Sequence, residues 1–166
     1  MGAEMAMATF DWSLFALFMG ASLAAGLTGW MFKPGDWYEG LVKPDWRPKN
    51  WMFPLAWTTI YVLSSLAATR VAPLAGNAQA MGFWALQIAL NTLWTPTFFG
   101  ARRMGLSVLV MAALCLAVLG MLWTFWPLDG WAFLMILPYA AWLALAAPLN
   151  WRVWRDNPGA GAGAGG

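Results

Sequence analysis

The chain has 166 residues, of which 61% are hydrophobic, 16% aromatic and only 10% charged, whereas a soluble domain carries roughly a quarter charged residues to cover its surface. Its 9 basic and 7 acidic side chains leave a net charge of +2, too small a surplus for a phosphate-binding surface. These figures exclude an ordinary soluble domain, a disordered chain and a nucleic-acid binder, and leave an all-α polytopic membrane protein.

In chain order, the opening MGAEMAMATFDW has no positive stretch ahead of its apolar run and does not read as a signal peptide. A bilayer core about 30 Å thick takes about 20 apolar residues per helix, and the first such run covers 10–32. The connection 33–50 is long, and Pro34, Pro44 and Pro48 predict that it is extended rather than helical. Further apolar runs cover 51–71 and 80–100; Arg102 and Arg103 then interrupt, and runs at 105–126 and 131–154 follow, separated by Pro127, Asp129 and Gly130. The prediction is a single bundle of five transmembrane helices over 1–158, without a second domain, and a disordered Gly/Ala tail over 159–166.

Five spans would gather the 33–50 loop, the 101–104 turn and the C-terminus on one side. Lys33, Lys43, Arg47, Lys49, Arg102, Arg103, Arg152 and Arg155 all fall there, and Arg70 falls opposite. The positive-inside rule then predicts a cytoplasmic C-terminus and an N-terminus outside.

The composition includes 14 tryptophans. An aromatic belt at the headgroups accounts for Trp12, Trp30, Trp51, Trp84, Trp123, Trp126, Trp131, Trp151 and Trp154, each near a span end, while Trp57, Trp94 and Trp142 lie deeper. At 1.5 Å per residue, Trp57 is roughly 9 Å below the start of the second span, Asn91 roughly 13 Å below the end of the third, and Trp142 and Ala146 roughly 18 and 12 Å below the end of the fifth. Within each span the spacings agree: Trp57 and Tyr61; Gln87, Asn91 and Trp94; Tyr139, Trp142 and Ala146 each share one helix face. An aromatic-walled layer with a few amides suits a flat apolar ligand. The spacing fits ordinary interhelical packing equally well.

The runs WYEGLVKPDWRPKNWMFPLAWTTIY, QIALNTLWTPTFFGARRMG and PYAAWLALAAPLNWRVWRDN closely resemble the TspO/MBR family, which holds tryptophan-rich sensory proteins, translocator proteins and the peripheral-type benzodiazepine receptor. The resemblance implies a five-helix bundle, often dimeric, that binds porphyrins, sterols such as cholesterol, and benzodiazepine-type drugs in a cavity under the first loop. Carried over to this chain, Tyr38, Trp46 and Pro48 would be lid residues, and Trp57, Asn91, Trp94, Trp142 and Ala146 would be cavity walls. Tyr61, Gln87 and Tyr139 join them from the face arithmetic. Two departures stand out. The lid reads Trp46-Arg47-Pro48-Lys49, where many members have a second proline, and the sterol motif of Leu149 and Arg155 has Trp151 in place of a tyrosine.

No acid or base falls at membrane depth, since Asp36, Glu39 and Asp45 lie in the loop. With no histidine and the single Cys115, no metal site is expected, and a porphyrin would enter as a ligand rather than an obligatory cofactor. The basic loop residues would suit its propionates. The readings carried forward are a tetrapyrrole-binding receptor or regulator, a transporter of tetrapyrroles or sterols, and a light-dependent porphyrin-degrading enzyme using Trp57 and Trp142. Ala78, Gly82, Ala85 and Ala89 form a small-residue stripe expected to serve as a homodimer seam within membrane lipid, with a similar stripe on the first span as its competitor.

Overall fold

The computed structural model describes residues 10–161. Helix α1 covers Trp12–Met31, the single-turn α2 Asp36–Glu39, α3 Met52–Val71, α4 Ala78–Thr95, α5 Met104–Phe125 and α6 Gly130–Asp156. A π-helical turn, Pro96–Gly100, extends α4. There is no strand among the described residues.

The helix ends follow from local chemistry. Asp11 caps α1, its carboxylate accepting the N–H groups of Ser13 and Leu14, both at 3.0 Å. Those bonds, led by the Ser13 side chain, hold its pKa below the usual carboxylate value. Asp129 caps α6 through the N–H of Ala132 at 2.9 Å and meets Arg70 at 2.7 Å, tying the end of α3 to the start of α6. Partial burial pushes its pKa upward, but the Arg70 and backbone bonds outweigh it and leave the carboxyl below its ordinary value. At Pro96 the helix loses an N–H and gains a ring against the preceding turn. It responds by widening: Ala101 N–H reaches back to the Pro96 carbonyl at 2.7 Å, and the Thr97 hydroxyl donates to the Leu93 carbonyl at 2.7 Å.

Around the bundle, α1 packs on α3 and α4, α4 on α5, α5 on α6, and α6 closes onto α3. The main core runs through Phe18, Ile60, Trp84, Leu114, Met121, Phe125, Ile136 and Tyr139. By length and composition α1, α3, α5 and α6 are suited to cross a membrane, four helices in all. The fifth long helix, α4, has 18 residues and carries Gln79, Gln87 and Asn91, whose polarity lowers its mean hydropathy.

The connection 33–50 departs from the extended expectation, because Asp36–Glu39 forms the turn α2 between Pro34 and Pro44. It folds back onto the bundle end: Leu41 is buried among Phe98, Met104, Leu149 and Val153. Asn157 fastens it like a neighbouring peptide group, accepting from Val42 N–H at 2.8 Å and donating to the Val42 carbonyl at 2.9 Å. Trp37 Nε1 donates to the carbonyl of Ala160 at 2.8 Å, so the first residues of the Gly/Ala tail are held in place. Residues 162–166 of that tail lie outside the described residues.

Candidate functional site

The three faces picked out by helical spacing converge between α3, α4 and α6. Tyr61 donates its hydroxyl to Asn91 Oδ1 at 3.3 Å, Asn91 Nδ2 donates to the Tyr139 oxygen at 3.0 Å, and Tyr139 donates to Gln87 Oε1 at 3.1 Å. Gln87, Asn91 and Tyr139 are buried. Trp57 covers this chain of bonds, its ring 5.6 Å from that of Tyr61 and 6.0 Å, edge-on, from that of Tyr139. Tyr61 is seated from behind by α1, where a Cβ on Gly26 would lie 3.0 Å from its ring. Glycine permits that approach.

Trp142, one turn along α6 from Tyr139, packs edge-on against Phe53 at 5.4 Å. Its indole N–H is buried and meets no acceptor among the described residues, and the same holds for the amide nitrogen of Gln87. Ala146, the next turn of α6, packs at the margin of the same core.

Trp94 is the wall residue that turns elsewhere. Its N–H donates to Asn150 Oδ1 at 2.8 Å, Asn150 Nδ2 donates to the Ser107 hydroxyl at 3.0 Å, and its ring stacks on Phe98 at 5.2 Å. It therefore bridges the deep layer and the cluster beneath the loop. Within that cluster Tyr38 lies edge-on to Phe98 and Phe99, at 6.1 and 5.3 Å. Pro48 is buried, and Trp46 is exposed at 47%. The three expected lid residues thus occupy different environments.

Other expectations resolve differently. Trp84 sits in the core rather than in a belt, donating to the Ser64 hydroxyl at 3.1 Å and packing edge-on against Phe18 at 4.7 Å. The sterol motif is divided between two faces: Leu149 is buried, while Trp151 is exposed with Arg155 over its ring at 4.6 Å. Lys43 is committed within the loop, where its ammonium meets the carbonyls of Tyr38, Glu39 and Leu41 at 2.5–3.0 Å. It neutralises the carbonyl end of α2 and is not positioned for a propionate. The stripe Ala78, Gly82, Ala85 and Ala89 is exposed, with open space around Gly82.

Two hollows lie at the loop end. One of about 240 Å³ is lined by Lys33, Gly35, Asp36, Trp37, Phe99 and Arg102. The other, about 520 Å³, lies between Arg102, Arg103 and Trp154 and the segment after α6. In the deep layer the rings of Phe53 and Trp142, and of Trp57, Tyr61 and Tyr139, lie against one another. Phe53, Asn150, Leu41 and Asn157 were missed by spacing because each acts across elements. The helical position of Asn150, eight residues beyond Trp142, was the one hint available.

No metal-binding cluster of His, Cys, Asp or Glu occurs among the described residues. The site offers hydroxyls, amides, indoles and rings, groups suited to non-covalent contact rather than to metal chemistry.

Comparison with known proteins adds the lineage. The model of the TspO/MBR family matches residues 15–155. A tryptophan-rich sensory protein of Cereibacter sphaeroides is 48% identical over 147 residues, covering 89% of this chain and 93% of the relative. Protein CrtK of Rhodobacter capsulatus is 47% identical over 151 residues, covering 89% and 94%. The Homo sapiens translocator protein is 35% identical over 152 residues, covering 85% and 90%.

Proposed function

This chain belongs to the TspO/MBR family, and from that premise we propose that it is a membrane receptor or regulator that takes a protoporphyrin-like tetrapyrrole in the layer between α3, α4 and α6. The observation that carries this reading is the convergence of Trp57, Tyr61, Gln87, Asn91 and Tyr139 into one aromatic–amide layer. Flat rings offer faces to a macrocycle, and the amides offer polar contacts at depth where water is scarce. The sensory name of the relative from Cereibacter sphaeroides supports a receptor.

In this reading all five long helices cross the bilayer. Gln87 and Asn91 are turned inward and joined to Tyr61 and Tyr139 there, which lowers their cost in lipid, while Gln79 lies exposed in the first turn of α4. The loop side, with Lys33, Arg47, Lys49, Arg102 and Arg103, faces the cytoplasm and the N-terminus lies outside. The 33–50 loop covers the site, anchored at Leu41 and Val42.

Titration of the purified protein with free-base protoporphyrin IX, followed by absorption and by quenching of tryptophan emission, tests the proposal. Saturable binding at one site per chain, weakened about tenfold or more in Trp57→Ala by loss of ring stacking, is the expected result. Binding that never saturates, or that ignores Trp57, would overturn it.

A second reading, transport of the same ligand, draws on the name translocator protein carried by several relatives. Porphyrin flux in proteoliposomes separates it from reception. A sterol is a weaker ligand candidate here, because burial of Leu149 separates it from Trp151 and Arg155.

We also propose a homodimer through the exposed stripe Ala78, Gly82, Ala85 and Ala89. Small residues let helices approach closely in lipid, where contact rather than water drives association. Gly82→Leu with Ala85→Leu is expected to shift the detergent-solubilised species from dimer to monomer in light scattering, with porphyrin binding retained. A dimer that persists in this variant would rule out the seam.

A further inference from the structure

The basic residues at the loop end are not used alike. Lys43 is bound within the loop, and Arg152 and Arg155 share Asp156 at 3.0 and 3.1 Å. Arg102 and Arg103 meet no carboxylate at salt-bridge distance among the described residues. Their placement is nonetheless fixed. The Ala101 N–H is held by the Pro96 carbonyl and the Arg103 N–H by the Thr97 carbonyl at 3.0 Å, so the chain turns at Arg102, which takes φ 53°. That left-handed backbone is uncommon for a residue other than glycine. The Arg102 guanidinium lies over the Trp37 ring at 5.4 Å, and the residue lines both hollows at this end.

The two hollows differ in charge. The smaller sets Asp36 beside Lys33 and Arg102, and the carboxylate offsets part of their positive charge. The larger, of about 520 Å³, joins Arg102 and Arg103 to the first turn of α5, Trp154 and the segment after α6, with no acid in its lining. It also lies at a definable depth. Trp30, Trp51, Trp151 and Trp154 are all exposed at this end of the bundle, as indoles at the level of lipid headgroups are. Gly105 lets Trp154 lie across the start of α5, since a Cβ there would stand 3.2 Å from its Nε1. Below the hollow, Leu106, Leu109 and Leu116 are exposed on one face of α5. A cationic mouth thus opens onto an apolar track.

We infer that this hollow is a binding site for one anionic phospholipid of the phosphatidylglycerol type, its phosphate held by Arg102 and Arg103 and an acyl chain laid along the leucines of α5. Guanidinium groups bind phosphate oxygens through charge-assisted hydrogen bonds, and basic pockets between membrane helices suit anionic headgroups. A soluble phosphate shares the headgroup chemistry but leaves the apolar track unused, so the two features together favour lipid. The site shares no lining residue with the layer between α3, α4 and α6, and it stands whether or not that layer takes a tetrapyrrole.

The test uses the full chain in a nonionic detergent, where no charged bilayer surface contributes. Anisotropy of an acyl-labelled fluorescent phosphatidylglycerol reports binding, and unlabelled dioleoylphosphatidylglycerol or dioleoylphosphatidylcholine competes; their shared chains isolate the headgroup. The wild type is expected to bind one labelled lipid per chain and to prefer phosphatidylglycerol at least about fivefold, the scale of one basic side chain acting on an anionic lipid. Arg103→Gln should reduce phosphatidylglycerol affinity about fivefold and leave phosphatidylcholine unchanged. Arg102→Asn should do the same, asparagine being chosen because it accepts the left-handed backbone. Lys49→Gln removes an exposed loop charge on the same side and should leave the affinity unchanged. Equal affinity of the wild type for the two lipids would overturn the inference. So would a loss in Lys49→Gln as large as that in Arg103→Gln, which would reduce the effect to overall charge. Inorganic phosphate in large excess, with ionic strength matched by chloride, should not displace the labelled lipid; displacement would assign the hollow to a soluble phosphate and overturn the lipid assignment.

Discussion

Replacing Ala146 by phenylalanine should weaken protoporphyrin binding at least about tenfold while leaving the protein folded, because a side chain at this position and the ligand would compete for one volume. Ala146 lies one turn of α6 beyond Trp142 and packs at the margin of the core that holds Trp57, Tyr61 and Tyr139. The rings of that core are already in contact, with Trp57 5.6 Å from Tyr61 and 6.0 Å from Tyr139. A macrocycle can enter only if these rings give way toward the loop side, and an added phenyl group would block that movement or fill the space it makes. Overpacking alone costs about 1–3 kcal/mol of stability, which thermal unfolding in detergent reads separately from affinity. Ala146→Ser, nearly the same size, should bind like the wild type. If Ala146→Phe folds and binds protoporphyrin with unchanged affinity, the layer between α3, α4 and α6 is not the site.

The same layer shows what could be read from the chain alone. Side chains at i, i+3, i+4 and i+7 share a helix face regardless of tertiary context, so Trp57 with Tyr61, and Gln87 with Asn91, were legible as sets. Equal depth on separate helices then suggested that the sets meet, and the bonds from Tyr61 through Asn91 and Tyr139 to Gln87 join them. Trp94 shows where this reasoning stops. It shares a stripe with Asn91, yet its N–H follows an acceptor on α6, and rotation of one indole carries it from the deep layer to the cluster under the loop. Trp84 was misread because position near a span end does not distinguish a belt residue from one facing inward; the Ser64 hydroxyl on α3 decides it. The fastening of the loop was illegible for a simpler reason. The bonds between Val42 and Asn157 join residues far apart in the chain, and no local pattern announces them.

Asn150→Leu should lower stability by about 1–3 kcal/mol, read as a reduced unfolding temperature in detergent, with a second effect on the loop. Asn150 is 4% exposed and is the point at which three helices share hydrogen bonds: it accepts from Trp94 on α4 at 2.8 Å and donates to Ser107 on α5 at 3.0 Å. Leucine keeps the branching and the number of side-chain heavy atoms but is bulkier, so overpacking adds to the loss of the polar contacts. Removing the amide leaves the Trp94 N–H without its acceptor, and an orphaned buried donor costs about 1–3 kcal/mol. Ser107 is less affected, because its hydroxyl already donates to the Met104 carbonyl at 2.7 Å. Interhelical hydrogen bonds in membranes average nearer 0.6 kcal/mol when the unfolded reference finds partners of its own, so a value toward the low end would still be consistent. The consequence for the loop follows from Trp94. Its ring stacks on Phe98 at 5.2 Å, and Phe98 in turn supports Trp37, Tyr38 and the buried Leu41. Freed from Asn150, the indole can rotate and loosen that support, so tryptic cleavage after Lys49 should accelerate in Asn150→Leu and return toward the wild-type rate when Trp94→Phe is added, since the phenyl ring has no N–H to leave unpaired. Destabilisation with unchanged cleavage would confine Asn150 to packing the bundle, and an unchanged unfolding temperature would mean that the Trp94–Asn150–Ser107 bonds carry no net stability.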